Sequence, residues 1–521
     1  MKGLVLATLV ALAGPLATPA AAQTLPLADA VLQKIWNEGM LSSQLMSLAQ
    51  PLFDSIGPRL TGSPAIRSAN DWAVAKYQSW GIEAKNEQYG TWKGWKRGVT
   101  HIDLLTPRIR TLEGTMLAWS PGTKGKVDGK VVIIPDVADS AAFVAWLPKA
   151  RGNYVMISMP QPSCRPDANW KEFGLPEEMD KMQKDRTAAQ TAWTARVTAA
   201  GGARNLPGKL EAAGAKGVLS NLWSAGWGVD KIFNARTEQI PTVDLSCEDY
   251  GLVYRLVEHN QNPTIRIEAE ATPLGEVPVF NTIARIPGSE KPDEFVMLSA
   301  HFDSWDAGSG ATDNGTGTIT MMEALRILKT VYPKPKRTIL VGHWSGEEQG
   351  LVGSRSFAAD HPEIVKGLQA LFNQDNGTGR VVNMSTSGLT GAGAFYGRWF
   401  ARLPAELTRN ITLSFPGAPA GGGSDNASFI CYGAPGFGLG STSWDYGAYT
   451  WHTNRDTFDK VVFDEVKQNA TLAAMLAYLA SEDPETIPRD RRVMAPDPRT
   501  GQATVWPACS VPPRKSSEST R

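Results

Sequence analysis

Three apolar runs in one half of the chain break off into acidic loops. EFVMLSAH (294–301) runs into FDSWDAGSGATDNG, TILVGHW (338–344) into SGEEQG, and LQALFN (368–373) into QDNGTG. Short apolar runs bounded by Gly and polar residues read as strands buried on both faces, the pattern of a parallel sheet. Between the first two, TGTITMMEALRILKTVY puts Ile319, Met322, Leu325 and Leu328 at helical spacing. Strands alternating with helices predict an α/β fold: a mixed, mostly parallel sheet flanked by helices. Ligands of such sheets bind beyond the carboxyl ends of the strands, so the three acidic loops are expected to converge.

The rest of the chain sets the surroundings of that sheet. At 521 residues it is too long for one ordinary compact domain, which predicts two domains or a core with an insertion. Lys2, the apolar run Leu4 to Leu16 and Ala20-Ala21-Ala22 read as a signal peptide over 1–22, with Gln23 as the mature start. That predicts a secreted or periplasmic protein, and no later run is long enough for a membrane span after signal cleavage. Lys plus Arg and Asp plus Glu both number 52, so charge gives no support to a nucleic-acid partner. Helical spacing is expected over roughly 25–52 and 65–80, and strands over 83–89 and 101–105. The segment 112–271 alternates short strands and helices (GKVVIIPD, NYVMIS, KLEAAGAKGVLSNL, IPTVDLSCEDYGLVYRLVEH) and reads as a small α/β insert. Within it, Arg165 to Arg204 is a polar helical addition. The expected division is a first catalytic segment over 23–111, the insert over 112–271, the core over 272–483, and a Pro/Arg/Ser-rich tail over 484–521. The four Cys allow three pairings. Cys164–Cys247 with Cys431–Cys509 is the preferred one, the second bond tying the tail to the core.

At the strand ends the chain gathers His301, Asp313, Glu347, Glu348 and Asp375, and a later loop adds His452. Carboxylates this dense repel one another and are driven towards protonation unless a cation sits among them. Two His with several carboxylates and no Cys suit Zn2+, less cleanly Mn2+ or Co2+. Two ions fit better than one: each takes one His and one acid, another carboxylate bridges, and one Glu is left as a base. Such a pair activates a water and clamps a tetrahedral intermediate. Taken singly, an adjacent Glu pair is usually a solvated surface feature and a lone His usually structural; the ordered set carries the signal.

The motifs HFDSWDAGSGATDNGTG, WSGEEQGLVGS, QDNGTG and WHTNRDTFDKV, with IGPRLTGSP near the start, resemble the co-catalytic zinc exopeptidases of metallopeptidase family 28. The nearest likeness is to the plasma glutamate carboxypeptidase (carboxypeptidase Q)-like branch. The insert, with LEAAGAKGVL, is similar to a protease-associated domain. The resemblance implies a zinc exopeptidase (phosphorylase/hydrolase-like) fold and a peptide substrate. It implies His301 and Asp375 on one zinc, Glu348 and His452 on the other, and Asp313 bridging. It makes Glu347 the general base and Asp303 the carboxylate that orients His301. It also implies a cis Asp313–Asn314 peptide and the possibility of a homodimer. Ser424 and Asp425 of GGGSDNASF are candidate substrate residues, although relatives often carry His where Asn426 stands. Tyr446 or Tyr449 is a candidate donor to the oxyanion. His343 reads as structural, and His101, His259 and His361 have no metal context. Two other readings stay open. One is a receptor-like binder on this fold, disfavoured because the ligand set is complete; the other is an amidohydrolase or cyclase on the same fold. Neither G-x-S-x-G nor H-E-x-x-H is present.

Overall fold

The computed structural model describes residues 28–496 and 499–519. The signal-peptide reading of 1–22 lies outside the described residues. The chain first forms helices α1 (Ala30–Leu41) and α2 (Pro64–Ser79), then strand β1 (Glu83–Thr106). After the insert come β2 (Thr264–Ile286), β3 (Lys291–His301), α3 (Thr316–Val331), β4 (Arg337–Trp344) and β5 (Leu368–Asn373), and later β6 (Gly436–Ser441) and α4 (Phe463–Glu482).

The central order is β6-β5-β3-β4-β2, with β6, β5, β3 and β4 mutually parallel and β2 antiparallel to β4. This is the mixed, mostly parallel sheet that the apolar runs predict. All eight residues of β4 and all six of β5 are buried, because helices cover both faces. α3 and α4 pack with α1 on one face, joining Leu32, Ile35, Leu325, Leu328, Leu476 and Leu479 in the main core. On the other face Met297, Leu340, Trp344, Phe357 and Leu371 form a second cluster. Parallel strands send their carboxyl ends to one edge, so His301, the Ser345–Glu348 turn, Asp375 and the loop after β6 meet there.

The outer strands depart from expectation. The strands expected over 83–89 and 101–105 are one 24-residue strand, β1, paired along its length with β2. Register shifts at Gln88/Gly90, Gly94/Trp95 and Arg97/Thr100 interrupt the alternation that would have revealed one element. β2 is likewise continuous across residue 271. Its first half pairs antiparallel with Val127–Ile133, which leads into the parallel strands Tyr154–Met156, Gly217–Ser220 and Thr242–Leu245. One fourteen-stranded sheet therefore runs through both regions. The polar addition forms helices Asp167–Phe173 and Pro176–Ala199.

The bonds Cys164–Cys247 and Cys431–Cys509 are both formed. The tail has almost no regular structure and is held by point contacts. Trp506 Nε1 donates to Ile430 O, Thr91 N donates to Arg514 O, and the Arg514 guanidinium grips both oxygens of Asp360 at 2.9 and 2.7 Å.

Candidate metal centre

β3 ends on His301, whose ring is 1 % exposed. Its Nδ1 lies 3.0 Å from the main-chain O of Asp303, which leaves Nε2 to face two acids: Asp375 Oδ1 at 3.1 Å and Asp313 Oδ1 at 3.4 Å. The other Asp313 oxygen, Oδ2, lies 3.2 Å from His452 Nε2, and that nitrogen lies 2.9 Å from Glu348 Oε2. Asp313 thus presents one oxygen to each His. Three groups have ligand atoms within 4.8 Å of one another: His301/Asp313/Asp375, Asp313/Glu348/His452 and His301/Glu347/Glu348. All the metal and base residues named from the sequence come together here.

The expected carboxylate contact from Asp303 to His301 is long, at 3.7 Å; the orienting contact is the Asp303 carbonyl. The Asp303 carboxylate instead accepts the main-chain N–H groups of Glu347 (3.1 Å) and Glu348 (3.3 Å), and the Thr61 hydroxyl (3.0 Å). It fixes the turn that carries both Glu side chains. That turn leaves β4 through Gly346, whose φ of +76° a side chain would disfavour. The Asp313–Asn314 peptide is cis.

Two supports were not singled out from the sequence. Asp456 accepts the N–H groups of Thr312 (2.8 Å) and Asp313 (2.9 Å) and so aims the shared carboxylate. Arg59 is fully buried and donates to the carbonyls of Phe302, Gly57, Ser309 and Gly310, pinning the loop between His301 and Asp313. Arg59 belongs to IGPRLTGSP and Asp456 to WHTNRDTFDKV, so both lie inside motifs already noted. Burial lowers the Arg59 pKa to about 10 against the opposing pull of Asp456, Asp303 and Asp313.

Charge at the centre is unbalanced. Burial, then the neighbouring acids, push Glu347 and Glu348 well above the carboxylate range, and burial lifts Asp425 and Asp456 to about 7. Burial works against a charged His301, but Asp375, Glu347, Asp303 and Asp313 outweigh it and hold its pKa well up. Burial lowers His452 to about 4. Asp313 Oδ2 is buried without a hydrogen-bond donor. These observations fit a metal. Tetrahedral zinc with bonds of about 2.0–2.1 Å needs donor atoms roughly 3.3 Å apart, close to the 2.9–3.4 Å N···O separations here.

The substrate candidates are placed unevenly. Tyr446 supports the charge of Asp313 through its hydroxyl, whereas the Tyr449 ring packs where a Cβ on Gly226 would lie 2.8 Å from it. Ser424 accepts from Asn373 Nδ2 at 2.8 Å. Asp425 is fully buried, among acids rather than on an open wall. His343 is buried against the Tyr77 hydroxyl (2.8 Å), away from the centre. The insert reaches the centre too: Ile232 N donates to His452 O at 2.7 Å, and Asp230 and Asn454 exchange bonds of 3.0 and 3.1 Å.

Residues 281–477 match the model of Peptidase family M28. That stretch of the chain is similar to the M28 peptidase domain. The acids and imidazoles of the centre, His301 to Asp456, fall inside the matched span, whereas Arg59 and Thr61 lie before it. Over 444 residues the chain is 27 % identical to mouse (Mus musculus) carboxypeptidase Q, covering 84 % of this chain and 86 % of the relative. Among solved structures it resembles a Peptidase M28 precursor from Shewanella amazonensis SB2B (24 % identity, TM-score 0.62, 88 % of this chain and 97 % of the other). It also resembles a zinc aminopeptidase from Bacillus subtilis (19 % identity, TM-score 0.53, 84 % and 95 %). Those two likenesses establish that the M28 fold is shared. Family and relatives support a metallo-exopeptidase, with peptides as the substrate class.

Proposed function

We propose that this M28 protein is an exported dizinc exopeptidase that hydrolyses a terminal peptide bond of dipeptides or short peptides. The observation that carries the reading is the shared carboxylate: Asp313 turns one oxygen to His301 and Asp375 and the other to His452 and Glu348. In this reading His301 and Asp375 would hold one zinc and Glu348 and His452 the other, with Asp313 available to both. Zinc, when bound, supplies Lewis acidity towards the scissile carbonyl and the attacking water. Glu347 takes the water's proton on a carboxylate oxygen and passes it to the leaving amine. Its raised pKa belongs to acids without a counter-charge, and a divalent cation inverts that balance. Tyr446 keeps its hydroxyl proton, because burial and the acids push its pKa well up, and it donates to the developing oxyanion. Asp303 and Asp456 position these groups.

Residues 23–111 and 272–483 make the catalytic part in this reading, and 112–271 a protease-associated-like insert. Two disulfides and the segment over 1–22 favour export. The carboxypeptidase Q resemblance favours dipeptidase action, and the wider family an aminopeptidase.

The test is metal content per chain with dipeptide turnover, on native and Glu347→Gln protein. Two zinc in both, with turnover at least about 100-fold lower in the variant, supports the reading. Near-normal turnover in the variant removes Glu347 as the base. One metal or none, without turnover, moves the reading to a binding protein on a peptidase scaffold.

A further inference from the structure

The two imidazoles of the centre are held in different ways. His301 has the main-chain O of Asp303 3.0 Å from its Nδ1, a contact that sets the ring and leaves Nε2 for the acids. His452 also turns Nε2 to the acids, towards Asp313 and Glu348. Its Nδ1 is buried with no hydrogen-bond partner among the described residues. Nε2 can ligate a metal only when the ring proton sits on Nδ1, and in His452 that proton meets no acceptor. A metal-bound imidazole ordinarily donates its second N–H to a carbonyl or a carboxylate, which fixes the ring and raises its basicity.

Rings stand where that acceptor would be expected. His452 has a left-handed backbone, φ +54°, which a residue with a side chain keeps only with outside support. Its ring lies on that of Trp451, with centroids 3.9 Å apart and planes 23° from parallel. Phe233 meets it edge to face at 5.2 Å and 83°, and Trp305 stands at 6.0 Å and 62°. Phe233 and Trp305 also touch each other, at 5.5 Å. Phe233 belongs to the insert, and its main chain is fixed on both sides. Ile232 N donates to His452 O at 2.7 Å, and Ala118 N donates to Phe233 O at 3.2 Å. Lys231, the residue before, sets its ammonium 4.4 Å from the centroid of Trp451. Ring packing of this kind limits where the imidazole sits but offers nothing that takes its proton.

We propose that Phe233 of the insert, with Trp305 and Trp451, is a positioning residue for His452, and that the ion held by His452 and Glu348 is in consequence the weaker-bound of the pair, its affinity set by the insert. The proposal rests on the dizinc reading above and goes further by ranking the two ions and naming what governs the second. The insert then acts on metal loading through a ring that is not itself a ligand.

The experiment is calorimetric titration of the metal-free full chain with Zn2+, with circular dichroism recorded on each protein: native, His452→Gln, Phe233→Leu, Phe233→Tyr and Trp451→Leu. The native protein is expected to take up two ions in steps about 10–100-fold apart in affinity. His452→Gln should lose the weaker step and keep the tighter one. Phe233→Leu and Trp451→Leu should weaken the weaker step several-fold and leave the tighter one unmoved, whereas Phe233→Tyr, which keeps the ring, should stay near the native values. Trp451 is 38 % exposed, so its substitution tests the same point without opening the interior. Two native steps of equal affinity, loss of the tighter step in His452→Gln, or a weaker step unmoved by removal of either ring overturns the proposal while leaving the dizinc reading intact. Fewer than two ions on the native protein overturns both.

Discussion

Asp456 binds through its carboxylate the main chain of Asp313, whose side chain faces both His301 and His452, so its effect on metal affinity is indirect and measurable. In Asp456→Asn one acceptor oxygen becomes an NH₂ facing a main-chain N–H. Zinc affinity is expected to fall about 10–100-fold, read by competition with a chelator, while the far-ultraviolet circular dichroism stays native. His361 supplies a pH signature away from the centre. Its ring bonds Glu87 and Glu363; the Glu87 bond leads in raising the His361 pKa above 6.5, and the same bond lowers Glu87 to about 2. The His361 contribution is complete below pH 6.5 and is lost as pH rises through its raised folded value. The Glu87 contribution is complete above 4.5 and is lost as pH falls towards 2. Native Tm should therefore drop, relative to that of His361→Gln, as pH climbs above 6.5; parallel Tm curves would refute the pair. At this scale the sequence disclosed the side chains whose chemistry is scarce, His301 and His452 and the acids at strand ends. It concealed those that act on the main chain, because Asp456 and Arg59 look like any Asp in a loop and any Arg after a turn until the carbonyls and N–H groups they serve have positions.

β3, β4 and β5 were legible because strands buried on both faces leave unbroken apolar runs. β1 and β2 were not: half-exposed, bulged strands scramble the two-residue period, and 24 residues read as two pieces. The N-terminal segment shows how an element far away in sequence serves the site. Arg59 ties the turn before α2 to the loop 302–310, and Arg59→Met would strand several buried carbonyls. A loss of at least about 3 kcal/mol in denaturant unfolding is expected. The tail depends on its disulfide instead of on periodic packing, which is why no pattern announced its place. Cys431 and Cys509 are separated by 78 residues, so Cys509→Ser should cost up to about 4 kcal/mol by the same assay.

Across the whole molecule, two regions that the sequence divides are joined twice: by β2, which belongs to both halves of one sheet, and by residues 230–232 of the insert, which grip the loop carrying His452. Metal removal should accordingly act at a distance. Chelation is expected to raise hydrogen exchange in both 226–235 and 446–455 while leaving β3 to β5 protected; exchange that rises only at 446–455 would show the two segments to be independent. No helix among the described residues is long and apolar enough to cross a membrane. The grip of Ile232 on His452 also has a consequence for ancestry and engineering. A region joined to a catalytic core only through its ends can be exchanged like a cartridge. This one supplies part of the scaffold of the loop that carries His452, so a transplanted substitute would have to reproduce those main-chain bonds before the recipient could hold that loop in place.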